Sequence, residues 1–238
     1  MDLYSVRIKD KKEIADNTLL FVLEKPENFK FRPGQFLMLI LPQLEESVER
    51  GNSRPMSIAS PPYQEEIYIA IRRGITPFKK KLESLNPGEE VKIRGPYGVF
   101  VLYDDLINTI VFLAGGIGIT PVRSIILQSQ FENKSGRFFL FYSNNLPKDA
   151  AFLEELGSIK GIDYKLVSTM TKPEGLPQDW EGEKGFIDFE MIKKYVSDVK
   201  EPIYYVVGPP GFVEAMKTAL VLAGIDKAKI KVEEFKGF

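Results

Sequence analysis

Near residue 105 the chain changes its hydrophobic period, and that change dictates two folding units of different class. Before it, short runs alternate apolar and polar residues. In Glu66–Arg72, Ile67, Ile69 and Ile71 alternate with Tyr68, Ala70 and Arg72, the period of two that marks a half-buried strand. Tyr4–Lys9, Thr18–Leu23 and Phe36–Leu41 are rich in β-branched, aromatic and aliphatic residues. Asp16-Asn17, Arg32-Pro33-Gly34, Ser60-Pro61-Pro62 and Asn86-Pro87-Gly88 supply turns between them. Many short strands with one short helix predict an antiparallel Greek-key β-barrel.

After residue 105 the pattern becomes strand, loop, helix, repeated. Thr109–Ala114 is a continuous apolar run, as a strand buried on both faces of a parallel sheet requires. Helices are expected at Pro121–Gln130, Ala150–Leu156, near Phe189–Val196 and at Phe212–Ala223. Strands are expected at Phe138–Tyr142, Asp163–Ser168, Ile203–Val207 and Ile230–Glu233. This alternation predicts a doubly wound α/β sheet, which binds ligands in loops at the carboxyl ends of its strands. The expected domains are 1–104 and 105–238.

Composition removes whole classes of chemistry. The 238 residues include neither cysteine nor histidine. Disulfides, thiolate nucleophiles, Cys-ligated iron–sulfur clusters, the usual zinc ligand sets and His-centred triads are therefore excluded, and no metal site is expected. A net charge of -1 gives no general reason to expect nucleic acid or an anionic membrane as partner. The longest apolar stretch, Ile110–Ile119, contains three glycines and falls short of the ~20 residues that a bilayer span needs. The charged, alternating N-terminus is unlike a signal peptide, so no membrane insertion and a cytoplasmic location are expected.

The chemistry must then lie in loops that hold a cofactor. Gly115-Gly116-Ile117-Gly118-Ile119-Thr120-Pro121 stands where a parallel strand turns into a helix. Glycines there let backbone approach a phosphate, and the helix N-terminus offers N–H groups and a favourable dipole; a turn that only packs helix on strand reads the same way. Val207-Gly208-Pro209-Pro210-Gly211 repeats the device at another strand end, where a rigid turn is the plainer reading. In the first half, Arg54 and Met56 lie on one side of an extended segment and Ser57 on the other. Arg54 has the fork that matches phosphate, although a surface arginine leading into a core strand would look alike. After Arg72-Arg73-Gly74-Ile75, Thr76 is a good N-cap and Pro77 a good first residue for a helix to about Leu85. Its N-terminus, flanked by two arginines, is a further anion site, while Lys79–Lys81 read as a solvated face. Phe235 and Phe238, after the last strand, can cover a planar ligand or simply fray.

Taken in order, these segments resemble the ferredoxin–NADP reductase superfamily over nearly the whole chain. Phe31 to Phe36 resembles its early barrel turn, Arg54 to Ser60 its R-x-Y-S flavin motif, and Gly74-Ile75-Thr76 its phosphate turn. Gly95-Pro96-Tyr97-Gly98 resembles the turn that ends the barrel. Gly115 to Pro121 resembles the GGxGxTP nucleotide loop, Gly208-Pro209-Pro210 the CGP loop, and Glu233-Glu234-Phe235 the E-x-F near the end. The resemblance implies a flavin-dependent NAD(P)H reductase, passing hydride to bound FAD (ahead of FMN) and electrons onward to a separate acceptor. It implies that Arg54, Pro55, Met56 and Ser57 meet the flavin, and that Arg72, Gly74, Ile75 and Thr76 hold its pyrophosphate. Gly115, Gly116, Gly118, Thr120 and Pro121 would bind NADH or NADPH, with Gly208 and Pro209 near the nicotinamide. Phe235 and Phe238 would complete the cofactor site, and Ser57, Met56 and Glu233 would be the catalytic residues.

Three departures follow. Met56 stands where the family has a tyrosine on the flavin ring, and Val207 where it has the CGP cysteine. No cysteine is present to hold a cluster, so the acceptor is expected to be a separate redox protein or small molecule. A free-flavin, quinone or ferric reductase remains an alternative, as does an electron-transfer subunit with weak turnover alone. Tyr142-Ser143-Asn144-Asn145, at the end of the second α/β strand, has neither an acid for the ribose hydroxyls nor an arginine for a 2′-phosphate. NADH and NADPH therefore stay open.

Overall fold

Alternation of buried and half-exposed residues builds the first sheet. A computed structural model describes residues 2–44, 51–102 and 109–235. Its first seven elements are β1 (Leu3–Ala15), β2 (Thr18–Glu24), β3 (Phe36–Ile40), β4 (Ser53–Ser57), β5 (Glu66–Arg72), α1 (Pro77–Ser84) and β6 (Glu90–Tyr97). The strands form one six-stranded sheet, ordered β4-β3-β6-β1-β2-β5, in which every neighbouring pair is antiparallel. The Ala59 N–H donates to the Tyr68 carbonyl at 2.8 Å, tying the segment after β4 to β5 and so linking the two ends of the strand order. Inside lie Val6, Phe21, Leu37, Leu39, Ile69 and Ile93, among others, with Phe78 and Leu82 contributed by α1.

The remaining elements are β7 (Thr109–Gly115), α2 (Ile119–Phe131), β8 (Arg137–Asn144), α3 (Leu153–Gly157) and β9 (Asp163–Met170). After them come β10 (Glu183–Lys184), α4 (Phe189–Tyr195), β11 (Ile203–Gly208), α5 (Pro210–Leu222) and β12 (Ile230–Glu234). Their strands form a parallel sheet ordered β10-β9-β8-β7-β11-β12. The chain runs outward from β7 to β10, then returns to place β11 on the other side of β7. The β7/β11 junction is therefore the topological switch point, where open α/β sheets leave a crevice for ligands. Among the described residues no helix is long and apolar enough to cross a membrane.

By contacts, one compact unit comprises the chain through Leu102 together with Thr120–Gln128, and the other comprises the rest. Buried polar groups explain why part of α2 counts with the first. Arg123, 2% exposed, donates to the Ala59 carbonyl at 2.7 Å and lies 5.4 Å from the Tyr68 ring centroid. Ser124 donates to the Ser60 carbonyl at 2.7 Å. Neither residue stands out in the sequence. Replacing Arg123 by methionine keeps most of the packing volume but leaves the buried Ala59 carbonyl short of a donor. Because the change also removes a desolvated charge, the expected loss of stability is only about 1–2 kcal/mol, to be read from denaturant unfolding of both proteins.

Several expected boundaries are corrected. β1 runs on to Ala15, not Lys9, because a register shift between Ile8 and Asp10 lets the charged Asp10–Ala15 segment pair with β2 after the alternation breaks. Gly95-Pro96-Tyr97 is not a turn but the end of β6, since an irregularity opposite Phe36 and Met38 accommodates the proline. The helix expected from Ala150 starts only at Leu153, because Phe152 takes a left-handed backbone with φ 60°. β6 and the two-residue β10 are strands beyond those expected.

Candidate functional site

Within the first unit, β4 is the terminal strand, so its residues reach a ligand along an edge as well as from a face. Met56 pairs with Leu37 and is 5% exposed, packed in the barrel core. Arg54 points to the same side. Its guanidinium carbon lies 4.9 Å from the ring centroid of Phe78, the second residue of α1, and Nη1 donates to the carbonyls of Gly51 and Ser53. A guanidinium carries five N–H donors, and this one is braced by its own loop beside the start of α1. Pro55 is exposed and Ser57 half-buried. Ser57 pairs across the sheet with Phe36, whose ring stacks on Tyr97 at 5.7 Å and 28°. The sequence reading missed this aromatic pair on the Ser57 face, although Phe36 and Tyr97 stand inside two of the segments it singled out.

At the end of β5, Thr76 caps α1 by accepting the Lys79 N–H at 3.3 Å, with Pro77 first in the helix. Ile75 is exposed. The two arginines before the helix have different work. Arg73 binds Glu83 at 2.6 Å and Glu13 at 3.2 Å, so its charge belongs to a surface network and not to an anion site. Arg72 ends β5 half-buried. Lys79 and Lys81 depart from the expected solvated face: Lys80 is exposed, but the other two are half-buried, and Lys79 folds back over Gly74. A Cβ on Gly74 would lie 2.8 Å from Lys79 Cδ and 3.2 Å from Nζ. Burial, then the Arg72 charge, hold the Lys79 ammonium below the usual lysine pKa. Gly74, Arg72, Lys79 and the α1 N-terminus thus form a cationic, donor-rich cradle that fits a flavin diphosphate, with Arg54 braced over Phe78 beside it.

In the second unit the switch point is closely packed. Gly115 ends β7 and Gly208 ends β11. Gly116–Gly118 form a single 3-10 turn, with Gly116 at φ 54°, before α2 begins. A Cβ on Gly118 would stand 2.6 Å from the Val207 carbonyl oxygen, 2.8 Å from Gly208 Cα and 2.9 Å from Gly208 N. The two glycine loops therefore touch backbone to backbone. Glu233 on β12 is the register partner of Val207, and the Phe235 N–H donates to the Gly208 carbonyl at 2.9 Å. Gly115, Gly118, Gly208, Glu233 and Phe235 are thus brought together, while Phe238 lies outside the described residues. Pro209 is exposed and caps α5. Thr120 and Pro121, which count with the first unit, are buried in the first turn of α2. Val207 is fully buried, so the loop presents backbone at the position where the family has a cysteine.

Residues 5–102 match the family described as oxidoreductase FAD-binding domain, and residues 112–218 the one described as oxidoreductase NAD-binding domain. The glycine betaine monooxygenase reductase subunit of Pseudomonas aeruginosa is 30% identical over 219 residues, covering 92% of this chain and 60% of that protein. The chain thus spans about 60% of the length of that relative. NADH-cytochrome b5 reductase 1 of Neosartorya fischeri is 30% identical over 239 residues, covering 93% of this chain and 75% of that one. A ferredoxin NADP+ reductase from Neisseria gonorrhoeae, crystallised with FAD and NADP, superposes with TM-score 0.82 at 19% identity over the full length of both chains. At that identity the likeness is one of fold.

Proposed function

This chain belongs to the ferredoxin–NADP reductase superfamily, with an FAD-binding domain followed by an NAD-binding domain, and we propose that it carries electrons from NAD(P)H to a separate acceptor. The observation that carries the reading is the presence of both domains, in that order, in one chain. Bound FAD supplies the chemistry that the side chains lack, accepting two electrons as hydride and releasing them onward. The protein's own part is binding, orientation and control of water and charge.

In this reading Arg54, Arg72 and the Gly74–Thr76 turn hold the FAD diphosphate. Ser57 Oγ holds a hydrogen bond at the flavin edge, and Pro55, on the same face, forms the adjacent wall, with Met56 packed behind it in the barrel core. The glycine turn from Gly115 to Gly118, with Thr120 and Pro121 behind it, receives the nucleotide. Gly208 and Pro209 hold the nicotinamide end, Glu233 faces it from β12, and Phe235 covers it. The acceptor is an oxygenase component or a cytochrome, the kinds of partner named for the glycine betaine and cytochrome b5 relatives. FAD-loaded protein mixed anaerobically with NADH, and separately with NADPH, is expected to lose its yellow absorbance with at least one of them, and the faster reaction identifies the preferred nucleotide. Protein that takes up neither FAD nor FMN, or that stays yellow with both nucleotides, would sink the proposal.

A further inference from the structure

Lys79 is placed against three ordinary preferences at once. It is the third residue of α1, the turn in which the helix dipole favours acids and disfavours cations, and that first turn contains no acid. Its side chain is not extended into water like that of Lys80 but half-buried. A flexible, strongly hydrated ammonium gives up rotamer freedom and solvation to sit there. It also lies within the field of Arg72, another cation, which together with burial lowers its pKa. The absence of a side chain at Gly74 is what makes room, since a Cβ there would meet both Cδ and Nζ of Lys79 at 3.2 Å or less. The neighbouring turn supports the arrangement, with Thr76 Oγ1 accepting the Lys79 N–H. Dipole, burial and like charge all become favourable if a multiply charged anion settles on the turn.

We propose that Lys79 recognises the diphosphate of FAD, its ammonium lying over Gly74 beside Arg72 to bond the anion, so that it sets the site's preference for the dinucleotide over unphosphorylated flavin. This rests on the reading of the first unit as an FAD site and adds Lys79 to the residues proposed above for the diphosphate. The site is selective by charge: riboflavin presents the same ring system but nothing for Lys79 to bond.

The test measures dissociation constants of flavin-stripped protein for FAD and for riboflavin by flavin fluorescence, with wild type, Lys79→Met and Lys80→Met. A charge-assisted bond of ordinary strength implies that Lys79→Met weakens FAD by about ten- to a hundredfold. Riboflavin affinity should be unchanged, and Lys80→Met, which removes the same charge one residue away, should bind both flavins as wild type does. The riboflavin arm also reports that the pocket is folded, and Lys79→Gln takes the place of Lys79→Met if the latter does not fold. FAD affinity of Lys79→Met within about twofold of wild type overturns the proposal, as do equal losses for FAD and riboflavin, or an equal loss in Lys80→Met, any of which is inconsistent with a local contact to phosphate. Wild-type protein that binds no FAD overturns the flavoprotein reading instead, so the two failures are distinct.

Discussion

Gly118→Ala should leave a folded, FAD-binding protein whose reduction by NAD(P)H is slower by about a hundredfold, the scale on which misplacement of a reactant by about 1 Å acts. The three nearest neighbours of the added methyl would all be backbone: the Val207 carbonyl oxygen at 2.6 Å, Gly208 Cα at 2.8 Å and Gly208 N at 2.9 Å. No flexible side chain can move aside. The β11 end is itself pinned on both flanks, by the pairing of Val207 with Ala114 on one side and with Glu233 on the other. The Phe235 N–H bond to the Gly208 carbonyl adds a third restraint. The turn that must yield is therefore the Gly116–Gly118 turn, which is the proposed nucleotide site. Overpacking of this kind also costs about 1–3 kcal/mol of stability. Gly211, in the first turn of α5, provides the contrast, since a Cβ there meets nothing within 4 Å. Gly211→Ala is expected to be neutral or stabilising by roughly 0.5–1 kcal/mol, as alanine for glycine in a helix usually is. Stopped-flow flavin reduction and thermal melting of the two variants make the comparison. If Gly118→Ala is reduced at the wild-type rate, the loop does not position the nucleotide.

Local chemistry made much of the fold legible. The period of two in Glu66–Arg72 and the continuous apolar run at Thr109–Ala114 each name a sheet type, because burial on one face or on both leaves different alternations. Thr76-Pro77 announced α1 for a reason wholly contained in those residues. What failed to show was set by tertiary structure. The Asp10–Ala15 half of β1 looks like a charged loop because a bulge removes the alternation, and Phe152 delays the start of a helix through a backbone conformation that sequence does not announce. The same holds for the site. Arg54 and the Gly74 turn were readable as anion-binding chemistry, but Arg72 and Arg73 are neighbours in sequence that serve different ends, which only the positions of Glu13 and Glu83 decide. Lys79 was hidden in a run of three lysines, and its role follows from where the side chain folds, not from its type. Arg123 and Ser124 bond carbonyls 64 residues earlier in the chain, a pairing that no local pattern encodes.

Arg54→Ala is expected to raise the dissociation constant for FAD by at least about a hundredfold, because a guanidinium makes two parallel charge-assisted bonds to a phosphate where a single bond is worth about 1.5–3 kcal/mol. The alternative, an arginine that merely packs where β4 meets α1, makes a different forecast. Its interactions without ligand include the contact with the Phe78 ring at 4.9 Å and bonds to the carbonyls of Gly51 and Ser53. Loss of a cation–π contact at such a site costs about 0.5–1 kcal/mol. Melting the protein with and without FAD separates the two forecasts. A phosphate ligand leaves the flavin-free melting temperature nearly unchanged and removes most of the stabilisation that saturating FAD confers on wild type, since that stabilisation follows the ratio of ligand concentration to dissociation constant. A packing residue lowers both curves together. Lysine at position 54 should recover only part of the affinity, as it keeps the charge but not the planar fork. Arg54 and Lys79 would meet one dianion, so removing both should cost FAD affinity by a factor different from the product of the single losses. A strictly multiplicative result would mean that the two cations do not share a ligand.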